Sequence, residues 1–112
     1  MTRRLLWHVR LTVAGDPQDV LLTHAALLRL RAESPFMHSL RYDEARAEVS
    51  YWEEGADMLD AASLALRLWG EHRLSAALPD WKVVGLEVVE RDTYQARESV
   101  SLAGTDAVPQ RF

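Results

Sequence analysis

The chain has 112 residues, of which 48% are hydrophobic, and this is enough for one domain with a single buried core. It contains no cysteine, which excludes disulfides, thiolate nucleophiles and cysteine-ligated metal centres. The net charge of -4 at pH 7 argues against a nucleic-acid partner, because phosphate contacts need clustered positive charge.

The sequence also argues against a membrane partner. No run approaches the roughly 20 apolar residues of a membrane-spanning helix. The apolar start of the chain is interrupted at Trp7-His8-Val9-Arg10, before it reaches the length of a signal peptide. We therefore expect a cytoplasmic protein.

The first part of the chain predicts a strand followed by a helix. Apolar and polar residues alternate from Leu5 to Val13, as in a half-buried strand. A helix is expected from Pro17 to Glu33, with Asp16 as its cap. The apolar stripe expected to face the core consists of Leu21, His24, Ala25, Leu28 and Ala32, and the opposite stripe of Leu22, Ala26 and Leu30.

The middle of the chain predicts a hairpin and a second helix. Ser34-Pro35 ends the first helix, and strands are expected over His38 to Asp43 and Ala45 to Glu53. Asp57 caps the second helix with Asp60 three residues later, and a kink or short break is expected near Gly70. Its expected core stripe is Leu59, Ala62, Ser63, Leu66 and Trp69, and Ala61, Leu64 and Leu68 form the opposite stripe.

The β-branched run from Trp81 to Arg91 predicts the fourth strand. After it, a helical turn capped by Asp92 and a polar tail are expected. The predicted organisation is one domain over residues 1–91 and a C-terminal extension over residues 92–112. Apolar residues of the tail could dock on the domain; these are Val100, Leu102, Val108 and Phe112.

These elements follow one another as βαββαβ. This order predicts an α+β fold with a four-stranded antiparallel sheet in the order 4-1-3-2 and both helices on one face, since each half needs a right-handed crossover. The opposite face of the sheet is then polar. We expect it to carry His8, Arg10, Glu48, Trp52, Trp81 and Glu87.

The polar sheet face holds the residues with the clearest chemical potential. His8 could act as a general base beside Arg10 and Glu48, and Trp52, Trp81 and Glu87 could line a ligand site. The alternatives are a solvated face with salt bridges or the middle of a sheet-to-sheet interface. The four histidines lie on four different elements without the spacing of metal ligands, so neither a metal site nor a cofactor is expected.

The second apolar stripe on each helix has no place in a monomer core. We expect Leu22, Ala26 and Leu30 of the first helix, with Leu64 and Leu68 of the second, to form a protein contact. The cover could be a second copy in a homodimer or higher homo-oligomer, another protein, or the chain's own tail. The alternative is that both stripes belong to one broad core face.

The βαββαβ order resembles the ferredoxin-like superfold over residues 5–91. The length, the polar sheet face with His8 and the C-terminal segment are similar to the dimeric α/β-barrel group, in which two sheets face each other and some members oxidise small molecules without a cofactor. The stretches Trp81-Lys82-Val83-Val84-Gly85-Leu86-Glu87-Val88 and Leu68-Trp69-Gly70-Glu71-His72-Arg73 resemble short uncharacterised bacterial proteins. The chain has no asparagine, a residue that acylphosphatases of this superfold use, so their chemistry is not expected.

A fold of this kind hosts enzymes, sensors and assembly modules alike. Because no catalytic motif is recognisable, the first expectation is a small non-enzymatic homo-oligomeric module for protein interaction or sensing. The second is a cofactor-independent small-molecule enzyme of the dimeric α/β-barrel type that uses His8. The third is a metabolite-binding regulatory domain.

Overall fold

A computed structural model describes residues 5–34, 36–98 and 108–112. Within these ranges the chain forms five strands and three helices. The strands are β1 (Leu5–Ala14), β2 (Met37–Tyr42), β3 (Arg46–Gly55), β4 (Lys82–Glu90) and β5 (Pro109–Arg111), and the helices are α1 (Val20–Glu33), α2 (Met58–His72) and α3 (Arg91–Glu98).

The strands form one mixed sheet in the order β4-β1-β3-β2-β5. The first four are antiparallel to their neighbours and have the predicted order 4-1-3-2, with α1 and α2 packed on one face. This is the ferredoxin-like arrangement of the α+β class, as expected from the order of the elements.

Two elements were not predicted in this form. β5 adds a fifth strand parallel to β2, where Pro109 to Arg111 pair with Leu40 to Tyr42, so the sheet is not purely antiparallel. Three residues are too few to show an alternating pattern. α3 lies on the sheet face opposite α1 and α2, because its Tyr94 stacks on His8 of β1. α1 and α2 share one face as predicted, but α3 adds a helix on the other face, so within the described residues the sheet has helices on both sides.

The described parts of the C-terminal extension thus form a helix and a strand instead of a single turn and a tail. α3 begins directly at Arg91, and Glu90 caps it because its Oε1 accepts from the backbone N–H groups of Asp92 and Thr93. The ring of Phe112 lies beneath the guanidinium groups of Arg41 and Arg46, while Val108 is exposed. Val100 and Leu102 lie outside the described residues.

The core lies between the sheet and the layer of α1 and α2. It is built from alternate residues of the central strands and one face of each helix. The members of the core from the strands and from α1 include Val9, Leu11, Val13, Leu40, Val49, Ala26, Leu27 and Leu30.

The buried face of both helices differs from the prediction. Ala26 and Leu30 of α1 and Ala61 and Leu68 of α2 are buried, although they were assigned to the outer stripes. Leu59 is 76% exposed, although it was assigned to the core. The predicted protein contact through Ala26, Leu30 and Leu68 is therefore wrong as to its residues: Leu22 is exposed and Leu64 is half-buried, whereas the other three pack in the core.

The N-terminal cap of α2 is the predicted residue, whereas that of α1 lies three residues later than predicted. Asp57 caps α2 as predicted, since its Oδ1 accepts from the N–H of Asp60 at 2.8 Å. α1 begins later than predicted, because its cap is Asp19, which accepts from the N–H of Leu21. The preceding loop is held by a backbone bond from Gln18 to Glu44 instead of extending the helix. α2 continues through Gly70 without a break.

Candidate functional site

The most distinctive group of polar side chains surrounds His8, on the sheet face covered by α3. Strand alternation directs Val9 into the core and therefore His8 to the opposite face, as predicted. His8 pairs in register with Trp52 of β3 on one side and with Val89 of β4 on the other. Its side chain is only 1% exposed, so His8 is enclosed by its neighbours.

A second histidine meets His8 directly. The Nε2 atoms of His8 and His38 are 2.5 Å apart, which places the two imidazoles in a hydrogen-bonded pair. The sequence pattern missed this pair, because alternation with Leu40 and Tyr42 places His38 on the core face. A shift in the β2–β3 register between Met37 and Ser39 changes the phase and turns His38 to the polar face.

Two further aromatic rings complete this group, which we call the imidazole cluster: His8, His38, Trp52 and Tyr94. The ring of Tyr94 stacks on His8 with centroids 3.8 Å apart and an angle of 21° between planes. Trp52 meets His8 and Tyr94 edge-on, at 5.1 and 5.2 Å. Tyr94 therefore closes the cluster from the side away from the sheet.

The electrostatic environment keeps His8 neutral. Burial, followed by the proximity of His38 and Arg10, lowers the pKa of His8 from 6.5 to about 4. The pKa of His38 is also lowered, first by burial and then by Arg10. Among the described residues, the Nδ1 atom of His8 has no hydrogen-bond partner.

Arg10, Glu48 and Glu87, which were also predicted for this face, are accessible to solvent. Arg10 and Glu48 form an ion pair with Nε and Oε1 3.8 Å apart, and both side chains are partly exposed. Glu87 is opposite Arg10 in the β1–β4 register and is exposed. His8, Arg10, Glu48, Trp52 and Glu87 thus share the predicted face, but the closed position of His8 sets it apart from the solvent-facing ion pair.

Trp81 does not belong to this group, and its predicted position on the polar face is wrong. It precedes β4 and packs in the core, parallel to Trp69 at a centroid distance of 6.3 Å. Its Nε1 donates to the carbonyl of Asp16 at 2.8 Å. The alternation of β4 does not extend to Trp81, because the strand begins only at Lys82.

A separate surface recess of about 370 Å³ lies between the start of α1 and the α2–β4 connection. It is lined by apolar side chains such as Leu22 and Leu78, with Arg29 and Asp80 at its sides. The Nε of Arg29 already donates to the carbonyl of Ala76 at 2.7 Å. The recess contains no group of acid, base and nucleophile from which a reaction could be derived.

The described residues were also compared with what a metal site and a membrane-spanning helix require. No three His, Asp or Glu residues within these ranges are grouped closely enough to hold a metal ion. None of the helices in the same ranges is long and apolar enough to cross a membrane.

No curated protein matches the sequence significantly. An acylphosphatase structure from Coxiella burnetii is similar with a TM-score of 0.40 and 16% sequence identity, covering 97% of this chain and 93% of that one. A family model described as a domain of unknown function, DUF8830, matches residues 6–105. Because this match spans most of the 112 residues, the chain belongs to the DUF8830 family.

Proposed function

We propose that the chain is a small, non-enzymatic, cytoplasmic interaction module that associates with a second copy of itself through the open edge of β4. The observation that carries this proposal is the place of β4 in the sheet. β4 pairs with β1 on one side, and among the described residues no strand pairs with its other side. An edge strand with unpaired N–H and C=O groups is a template for a further strand.

The residues of β4 favour a protein partner over water. The strand has nine residues, and its side chains Val84 and Leu86 are 62% and 37% exposed. Apolar side chains on a long open edge lose their contact with water when a second strand is added. At about 25 cal/mol per Å² of apolar area, burying a few such side chains on each strand contributes several kcal/mol.

The charges at the two ends of β4 favour a second copy in antiparallel orientation. Lys82 is at the beginning of the strand, whereas Glu87 and Glu90 are near its end. Antiparallel pairing of two β4 strands brings the Lys82 end of one close to the Glu90 end of the other. Parallel pairing would bring the acidic ends together, and this costs free energy. Antiparallel pairing of identical strands also closes into a two-fold dimer.

The enzyme alternative receives less support from the geometry. A general base must reach the proton it abstracts, but His8 is enclosed beneath Tyr94. In a dimeric α/β-barrel arrangement, the polar faces of two sheets would meet, and here α3 covers part of that face. Association at the edge leaves α3 in place. A metabolite-binding regulatory role would need a site such as the surface recess beside Arg29.

The mass of the protein in solution tests the proposal. Sedimentation equilibrium should give a dimer of twice 12.7 kDa at micromolar concentrations. Val84→Glu should weaken this dimer by about tenfold or more, because it places a charge on the paired edge. The matched control Val84→Thr keeps a β-branched side chain and should retain the dimer.

A second control distinguishes the possible surfaces. Leu59→Glu changes an exposed residue of α2 in the opposite layer and should leave the dimer intact. A monomer at all concentrations would contradict the proposal. Dissociation by Leu59→Glu but not by Val84→Glu would assign the contact to the helices. A dimer that tolerates both changes would favour contact between the polar sheet faces.

A further inference from the structure

Tyr94 is the one buried side chain of α3 among those that the structure describes. Tyr94 is 8% exposed, whereas Arg91, Asp92, Thr93, Ala96 and Arg97 are exposed on the same helix. A helix of eight residues is too short to be stable alone in water. The ring contacts of Tyr94 with His8 and Trp52 therefore hold α3 against the sheet.

The contact between Tyr94 and His8 requires that at least one of the two histidines is neutral. The Nε2 atoms of His8 and His38 face each other, and such a bond needs one protonated nitrogen and one free lone pair. When both imidazoles are protonated, two N–H groups point at each other and two positive charges are in contact. The rings would then have to separate, and Tyr94 lies directly on one of them.

The charged groups around the two histidines also disfavour their protonation. Arg10 of β1 adds a positive charge on the same face, and Glu48 of β3 is engaged with Arg10. β4 presents the apolar Val89 opposite His8, while the exposed Glu87 is opposite Arg10. From α3, Tyr94 contributes a stacked ring to the contact with His8.

We infer that the His8–His38 pair is a proton-sensitive latch that holds α3 on the sheet face and releases it when both imidazoles become charged. The four central strands with α1 and α2 stay folded, because their core lies on the other side of the sheet. Burial and Arg10 lower the pKa of both histidines, that of His8 to about 4, so the release occurs at about pH 4 and the latch is closed at neutral pH. This inference is independent of the proposed dimer.

Hydrogen exchange measured by mass spectrometry tests the latch. Protection factors, which correct for the intrinsic pH dependence of exchange, should fall about tenfold or more for residues 91–98 between neutral pH and about pH 4. The amides of β1 and β3 should keep their protection over the same range. A parallel loss of protection in α3 and in the central strands would mean global unfolding and would overturn the inference.

Three variants identify the group that titrates. His8→Phe keeps a flat ring under Tyr94 but removes one imidazole, and α3 should then stay protected at acidic pH. His38→Gln, at a partly exposed position, is the second test should His8→Phe fail to fold. The control His72→Gln removes a histidine that contacts Glu33 instead and should respond like the parent protein. A preserved acid response in both His8→Phe and His38→Gln would overturn the inference.

Discussion

The imidazoles of His8 and His38 face each other through their Nε2 atoms beneath the ring of Tyr94, and burial with Arg10 nearby favours their neutral forms. The unfolded chain binds a proton at His8 near the ordinary pKa of 6.5, whereas the folded chain binds it only near pH 4. The unfolded state therefore holds more protons in this window, and the free energy of unfolding must fall as the pH decreases. The loss attributable to His8 amounts to about 3 kcal/mol at most.

Urea unfolding at a series of pH values measures this first prediction. The free energy of unfolding should decrease from about pH 6.5 down to about pH 4, beyond the change caused by carboxylates. His8→Phe should flatten the decrease in that window. An equal slope in the variant and the parent would show that His8 is protonated alike in the folded and unfolded states.

The sequence was sufficient for the central sheet. Alternation in β1 and β3 places Val9, Val49 and their neighbours on the core face, because a one-residue slip would expose the whole apolar set. β4 was recognised by its β-branched residues. The strand order then followed from the right-handed crossover rule and short connections, which leave few alternatives.

The helix faces could not be chosen from the sequence with the same certainty. Adjacent leucines such as Leu21-Leu22 and Leu27-Leu28 give α1 two apolar stripes, so its periodicity does not define one buried face. The folded chain buries the stripe with the small residue Ala26, and in α2 the stripe with Ala61 and Ala65. Small side chains allow a helix to approach the sheet closely, but this preference appears only when the two layers are packed together.

The sequence predicted the residues of the candidate site that lie on regular strands and missed those that depend on a register shift or on tertiary contacts. His8, Arg10 and Glu48 were placed on the correct face because β1 and β3 alternate regularly where these residues lie. His38 was missed because a local shift in register reverses its face, and no turn residue marks that shift in the sequence. Tyr94 was missed as the cover because its helix crosses to the other side of the sheet, and this depends on tertiary contacts.

The second prediction concerns Gly15. A Cβ atom at this position would lie 2.5 Å from Cδ1 and 3.3 Å from Cγ of Trp81, whose ring is buried in the core. Gly15→Ala should therefore lower the free energy of unfolding by about 1–3 kcal/mol, as overpacking does in other cores. Gly70→Ala is the matched control, because nothing lies within 4 Å of its Cβ. It should instead stabilise α2 by up to about 1 kcal/mol in the same thermal or urea measurement.

The third prediction concerns the end of α2. Ala77 has a φ angle of 53°, in the left-handed region that favours glycine. Its N–H donates to the carbonyl of Leu74, and the N–H of Leu78 donates to that of Arg73. Ala77→Gly should relieve the backbone strain and raise the free energy of unfolding by up to about 1 kcal/mol. A decrease in stability would show that the entropy added to the unfolded chain outweighs this strain.

The last prediction tests which face of α1 and α2 is buried. Leu30 is fully buried in the core, whereas Leu59 is largely exposed on α2. Leu30→Ala should lower the free energy of unfolding by about 2–5 kcal/mol, because it removes packed methyl groups and leaves a cavity.

Leu59→Ala removes the same atoms from the surface and should change stability by less than about 0.5 kcal/mol. The two variants have the same chemical change, so the difference between their unfolding midpoints reports burial alone. The opposite order of stability would mean that the apolar stripes face the way their leucine spacing first indicated, with Leu59 in the core. Equal losses in both variants would indicate that each stripe is covered, one by the sheet and the other by a second molecule.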